Sequence, residues 1–253
     1  MGTLVMGILN VTPDSFSDGG RYLDADAAIA HGLRLLPEGA DIVDVGGEST
    51  RPGADPVDPG EEARRVVPVI EALSGQGRVS VDTRHEAVAR AAVEAGATLV
   101  NDVSATLCAV AAETGAGWVA MHMQGEPATM QDAPRYDDVV TEVRDYLVRR
   151  ASDGRAAGVD EVFVDPGIGF GKTDDHNLAL LRHLDVLVGT GLPVVVGTSR
   201  KGFLGRLTGG AGADDRLEAS VATAVAAALD GAAMVRVHDV AETVAALEAV
   251  GLR

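Results

Sequence analysis

Short apolar runs alternate with amphipathic stretches along the whole chain. Residues 4–9, 41–45, 78–81, 98–100, 118–121, 162–164, 193–196 and 233–237 are runs of strand length dominated by Val, Leu, Ile and Ala. Such continuous runs suit strands buried on both faces. Each is followed by a stretch that reads as helix: 25–36, 61–73, 85–95, 105–114 (the weakest), 137–157, 176–188, 216–229 and 241–250. Eight strand–helix units in 253 residues predict an α/β fold, a closed (β/α)8 barrel forming one domain over residues 1–253. An open doubly wound sheet is the alternative, but no strand is followed by a GxGxxG turn. No linker, low-complexity tract or short repeat divides the chain.

Composition narrows the partners. Aromatic residues make up 3% of a chain that is 46% hydrophobic, so the core is built mostly from Val, Leu and Ala. A formal charge of −17 argues against nucleic acid or an anionic membrane as a partner. An anionic substrate therefore needs a local basic pocket. Cys108 is the single cysteine, which excludes an intrachain disulfide and a cluster of thiolate ligands. The segment MGTLVMGILN has no basic region and does not read as a signal peptide. The Ala-rich stretch 219–229 is too short and too closely flanked by Asp215, Glu218 and Asp230 to span a bilayer. A cytoplasmic protein is the expectation.

In a barrel of this kind the chemistry sits in the loops at the carboxyl ends of the strands. Those positions hold Asn10, the loop from Gly46 to Arg51, Asp82, Asn101, Met121, Asp165, the run Ser199-Arg200-Lys201, and Arg236 with His238. A single polar strand cap is ordinarily structural; so many converging on one mouth define a site. Asp82, Asn101, Asp165 and Lys201 together offer acceptors for amidine-like N–H groups and a donor for a ring oxygen or nitrogen, which suits a flat nitrogen heterocycle. Thr50, Arg51, Arg236 and His238, with Asn10 nearby, form an anion site in an otherwise acidic protein. Asn10 can supply one oxygen to a hydrated Mg²⁺ held otherwise by phosphates.

The stretch EVFVDPGIGFGK at 161–172 carries both the acid Asp165 and a loop nearly bare of side chains, where a ligand can approach the backbone. The segment PGIGFGKT resembles a phosphate-binding P-loop, but Pro166 stands where its first glycine belongs. His122 has no second histidine beside it and reads as a structural residue, and His31, His85, His176 and His183 read as surface or capping residues on helices.

Taken together, the motifs resemble the dihydropteroate synthase family of the folate pathway. They are GILNVTPDSFSDGG (7–20), DVGGESTRPGA (44–54), VDT (81–83), ND (101–102), MHMQGEPATMQ (121–131), DPGIGFGK (165–172), GTSRK (197–201) and RVHDV (236–240). The resemblance covers nearly the whole chain. It implies a (β/α)8 barrel that condenses 6-hydroxymethyl-7,8-dihydropterin diphosphate with p-aminobenzoate, with Mg²⁺ assistance. Carried over by residue, Asp82, Asn101, Asp165 and Lys201 are expected to bind the pterin, with Met121 against its face. Asn10, Thr50, Arg51, Arg236 and His238 are expected to bind diphosphate and metal. Phe16, Arg51, Pro52, Phe170 and Lys201 are expected to border p-aminobenzoate, and Lys201, Arg51, Arg236 and His238 to carry the catalysis. The resemblance further suggests sulfonamide competition, a homodimer through the helices at 217–229 and 241–250, and lids at 12–20 and 47–60.

Two departures from the family pattern stand out. Gly202 replaces a serine that many members carry after the SRK triplet, removing one hydroxyl contact. The segment VSATLCAVAAETGAG after Asn101-Asp102 is several residues shorter than the family commonly shows, and lacks the glycine-containing turn expected there. The shorter loop keeps open a catalytically impaired pterin-binding paralogue; a pterin-dependent methyltransferase domain, with a similar barrel and Asp/Asn/Asp pocket, is a further alternative that the loops TPDSFSDGG and STRPGA speak against.

Overall fold

The computed structural model describes residues 2–12, 20–49, 56–127 and 129–253. Its strands are β1 (Leu4–Asn10), β2 (Ile42–Gly46), β3 (Arg78–Asp82), β4 (Leu99–Asp102), β5 (Gly117–Met121), β6 (Val162–Asp165), β7 (Val195–Val196) and β8 (Met234–Val237). All neighbours pair in parallel, in the order β6-β5-β4-β3-β2-β1-β8-β7. The ends of that order meet through a parallel bridge between Val164 and Val194, where the Val164 N–H donates to the Pro193 carbonyl at 3.0 Å. The sheet is thereby a barrel, as the eight-unit pattern predicts.

Helices occupy the intervals: α1 (Gly20–Leu35), α2 (Pro59–Ser74), α3 (Glu86–Glu94), α4 (Cys108–Thr114), α5 (Val139–Ala157), α6 (Asp174–Arg182), α7 (Leu184–Val188), α8 (Gly202–Leu207), α9 (Leu217–Leu229) and α10 (Val240–Ala249). Local chemistry sets several starts. Asp58 accepts from the N–H groups of Gly60 and Glu61 to begin α2, and Asp138 accepts from Val140 and Thr141 to begin α5. Thr173 and His176 form a reciprocal capping box at α6, which starts that helix earlier than residue 176. The single helix expected over 176–188 is two, because His183 leaves the helical region with φ −120° and ψ 34°. Helix α8 was not anticipated; its sequence, GFLGRL, contains two glycines, which mask helical periodicity.

Side chains alternate across each strand, so two cores result. The larger lies between sheet and helices and includes Val5, Val43, Val81, Val100, Trp118 and Val164. The smaller plugs the barrel interior with Met6, Ile42, Leu99, Val119, Phe163, Val195 and Met234. This plug is the lower layer on which the mouth is built.

The short loop after β4 keeps its shape without the expected glycine. Ala105 takes the left-handed conformation itself, at φ 53°, which costs a non-glycine residue about 1–2 kcal/mol. The fully buried Asp102 holds the loop in place: it accepts from Ser104 N–H at 3.0 Å, Ser104 Oγ at 2.6 Å, Leu107 N–H at 2.7 Å and Trp118 Nε1 at 3.1 Å. Asn101 stays in register opposite Asp82. The expected residues Phe16, Thr50, Arg51 and Pro52 lie outside the described residues, as do 13–19 of one expected lid and 50–55 of the other. Replacing Asp102 by Ala strands two buried donors, Leu107 N–H and Trp118 Nε1. Chemical denaturation should show a loss of about 3 kcal/mol or more; a loss below about 1 kcal/mol would show that the loop does not depend on this carboxylate.

Candidate active site

On four strands the inward face turns polar two residues above the plug: Ile42 is followed by Asp44, Leu99 by Asn101, Phe163 by Asp165 and Met234 by Arg236, while Val119 is followed by the apolar Met121. Registers level these groups: Asp82 lies opposite both Gly46 and Asn101, and Met121 lies opposite Asp165. Asn10 ends β1, on the strand beside β8.

Asp44, unremarked in the strand-end reading, proves central. One oxygen, Oδ2, accepts from Arg236 Nε at 2.6 Å and from Asn101 Nδ2 at 2.9 Å. Arg236 also donates to Asp82 Oδ2 at 2.7 Å. Arg236, expected beside the anion, also reaches Asp44 on β2 and Asp82 on β3. The cause is its position two residues above Met234, which aims it into the barrel. Asp44 is fully buried and its Oδ1 has no hydrogen-bond partner.

Burial dominates the electrostatics here. It pushes the Asp82 carboxyl up to about 7 against the pull of Arg236, with Asp44, Glu62 and Asp102 adding to the rise. Burial alone would lower the Arg236 guanidinium, but Asp44 and Asp82 outweigh it and hold the group above its usual value. Asp165 is raised by burial, opposed by Lys201 and by the Gly167 N–H that donates to it at 2.6 Å. Burial lowers Lys201 to about 8, with Asp165 opposing and Arg236 assisting.

The loop that follows Asp165 lies against the loop that follows β5 with no space between them. A Cβ at Gly167 would sit 1.9 Å from the His122 carbonyl oxygen, and one at Gly171 would sit 2.3 Å from that of Gln124. Gly167 also has φ 65°, so its lack of a side chain is required twice over. Lys172, only 2% exposed, closes the seam. Its Nζ meets His122 Nδ1 at 2.9 Å and donates to the carbonyls of Phe170 at 3.0 Å and His122 at 3.3 Å. Burial lowers Lys172 to about 7, and burial with the neighbouring Lys172 lowers His122 to about 3. His122 is therefore a satisfied internal residue, and Lys172 is a clasp between loops. Lys201 reaches across from β7, donating to the Ile168 carbonyl with Nζ 4.7 Å from the centre of the Phe170 ring.

His238 pairs with Ser199, whose Oγ lies 3.0 Å from His238 Nδ1 and accepts from His238 N–H at 3.1 Å. Among the described residues, Glu48, Glu62 and His85 bring potential metal-ligand atoms within 4.8 Å of one another. Glu48, however, is forked by Arg84 at 2.9 and 3.0 Å, and Glu62 is bonded to His85 at 2.7 Å. His85 was expected to cap a helix or face solvent; it makes no side-chain cap bond to α3 and spends its ring on buried Glu62. No helix among the described residues is long and apolar enough to cross a membrane.

A barrel with an apolar plug below a mouth of acids, amide, lysine and arginine is the frame of a pterin-binding enzyme, and the chain belongs to that family: the pterin binding enzyme model matches residues 6–238. It is 52% identical to the dihydropteroate synthase of Mycobacterium leprae, over 98% of this chain and 92% of the relative. It is equally similar to a solved dihydropteroate synthase of Xanthomonas albilineans with 4-aminobenzoic acid, at 50% identity, TM-score 0.92, and 98% and 92% coverage. A second structure of the Xanthomonas enzyme, in complex with 7,8-dihydropteroate, matches at 47% identity, TM-score 0.89, and 98% and 92% coverage.

Gly167→Ala tests the seam that places Asp165. The added methyl meets a backbone oxygen and needs a positive φ, so unfolding free energy should fall by at least about 2 kcal/mol. Near wild-type stability in a urea titration would contradict the close contact.

Proposed function

We propose that the chain acts as a dihydropteroate synthase, joining 6-hydroxymethyl-7,8-dihydropterin diphosphate to p-aminobenzoate and releasing diphosphate and 7,8-dihydropteroate. The observation that carries this reading is the polar upper layer, in which Asp82, Asn101, Asp165 and Lys201 line one mouth with Arg236 among them. The near full-length similarity to enzymes of that activity supports it. The loop after β4, shorter than the family's, leaves Asn101 bonded and in register, which favours an active enzyme over an impaired paralogue.

The residues fit each step of this chemistry. Asp82 and Asp165 accept from the N–H groups of the pterin edge, Lys201 donates to it, and Met121 packs on its face. Departure of diphosphate leaves positive charge on the pterin methylene, and carboxylates in a water-poor mouth favour that charge as it develops. Arg236 and His238, with Arg51 and Thr50, stabilise the leaving diphosphate. Phe170 and Lys201, with Phe16 and Pro52, border the p-aminobenzoate. Its aryl amine is already neutral at pH 7, so it needs positioning more than activation.

The donor set also fits Mg²⁺. Asn10 offers one neutral oxygen beside the strand that carries Arg236, which suits an ion held chiefly by diphosphate and water. When bound, the ion would neutralise charge on the leaving group.

Pure protein incubated with Mg²⁺, pterin diphosphate and p-aminobenzoate should release diphosphate and dihydropteroate in equal amounts, with sulfonamides competing against p-aminobenzoate. Absence of turnover would overturn the reading. Lys201→Ala and Arg236→Ala should each lower kcat/KM at least about a hundredfold, roughly 2.7 kcal/mol of transition-state binding; near-normal turnover removes that residue from the site. The pH profile follows from the shifts. The rate should rise as Asp82 ionises near 7 and fall as Lys201 loses its proton near 8. Lys201→Arg, whatever its rate, should lack the alkaline limb, and a limb that persists would assign it elsewhere.

A further inference from the structure

Arg200 and Asp239 take no part in the chemistry above, yet they sit where the backbone of the mouth is most constrained. Arg200 is one of two non-glycine described residues with positive φ, at 57°. Left-handed backbone at such a residue persists only where its surroundings impose it, and it concentrates at functional sites. Here the backbone and the guanidinium of Arg200 are both engaged, and one terminal nitrogen also lies 3.6 Å from Asp214. Its N–H donates to Ser220 Oγ at 2.9 Å and its carbonyl accepts from Arg216 at 2.9 Å. Its guanidinium forks onto Asp239, Nε to Oδ2 at 3.2 Å and the terminal nitrogen to Oδ1 at 2.5 Å.

The neighbours on both sides belong to the site. Ser199 pairs with His238 and Arg200 with Asp239, so two adjacent residues after β7 are riveted to two adjacent residues after β8. The next residue, Lys201, crosses the mouth to the Ile168 carbonyl and the face of Phe170. A right-handed or extended Arg200 would send Lys201 in another direction and release the loop from His238.

We propose that Arg200 and Asp239 are a positioning pair: the left-handed turn at Arg200, held by its fork onto Asp239, sets Lys201 and His238 at a fixed separation across the two substrate halves. This rests on the functional reading above and extends it to residues that touch neither substrate. A loop-stabilising role alone would change the melting temperature without a selective change in kinetics.

The test compares Arg200→Met, Asp239→Asn, Arg200→Ala and Arg200→Gly in steady-state kinetics and thermal unfolding. Arg200→Met and Asp239→Asn lose the fork, and kcat/KM should drop at least tenfold, with KM for p-aminobenzoate rising more than kcat falls and unfolding shifted by only a few degrees. Glycine adopts the left-handed turn without cost, so Arg200→Gly should retain several-fold more activity than Arg200→Ala. Kinetics within threefold of wild type in both fork variants, or losses that simply track the unfolding temperature across the series, would overturn the proposal. An inactive wild type would overturn the functional reading and leave the positioning of Lys201 to the structural test that follows. The crystal structure of Arg200→Met then decides: Lys201 displaced from the Ile168 carbonyl supports the pair, and Lys201 unmoved refutes it.

Discussion

Asp44, Arg236, Asp82 and Asn101 form one hydrogen-bonded unit inside the barrel mouth, and the site depends on that unit being complete. Charges taken out of water cost several kcal/mol each unless they are paired and hydrogen-bonded. Asp44 lies wholly out of solvent, so its carboxylate is tolerable only because a guanidinium and an amide both donate to it. Arg236 is in turn held in its charged form by two acids. Removing Arg236 takes the guanidinium from two buried acids at once, so the four residues stand or fall largely through that one side chain.

The unit rests on a scaffold that keeps stability and chemistry apart. Below it, seven apolar side chains from seven strands fill the barrel; above it, the inward faces of β2, β4, β6 and β8 carry Asp44, Asn101, Asp165 and Arg236. On those four strands a two-residue step separates plug from site. The loops then add what strands cannot. Gly167 and Gly171, after Asp165, put bare backbone against the loop after β5, and Lys172 clasps the two by three contacts. The glycines thus allow close packing of backbone on backbone, and the phosphate-loop likeness of PGIGFGKT has no counterpart in this packing.

The eight strand–helix units were legible because each strand is a continuous apolar run and each helix has its own period. The strand-end residues were legible because a barrel exposes only those ends. Asp44 escaped because it sits mid-strand, where an acid among Ile42, Val43 and Val45 reads as an irregularity; its signal was the step of two from Ile42. The sharing of Arg236 between Asp44 and Asp82 escaped for the same reason, since strand parity and not proximity to the loop sets its direction. His85 does stand at the start of α3, but the partner of its ring, Glu62, comes from a different helix and could not be read from the local pattern. The turn after Asn101-Asp102 looked damaged without its glycine, but tertiary contacts to Asp102 hold Ala105 in the conformation a glycine would adopt. Local propensity yields to such contacts when a buried carboxylate gathers four donors.

If the polar layer of the mouth is a pterin pocket, Asp165 is the acid on which pterin binding depends. Calorimetric titration of the pterin diphosphate into wild type and Asp165→Asn tests it most directly, because the substitution keeps shape and removes only the charge and one acceptor. The account predicts clear binding to wild type and at least a hundredfold weaker binding to the variant, a loss of about 2.7 kcal/mol. Equal affinity in the two proteins, with both folded, would contradict it.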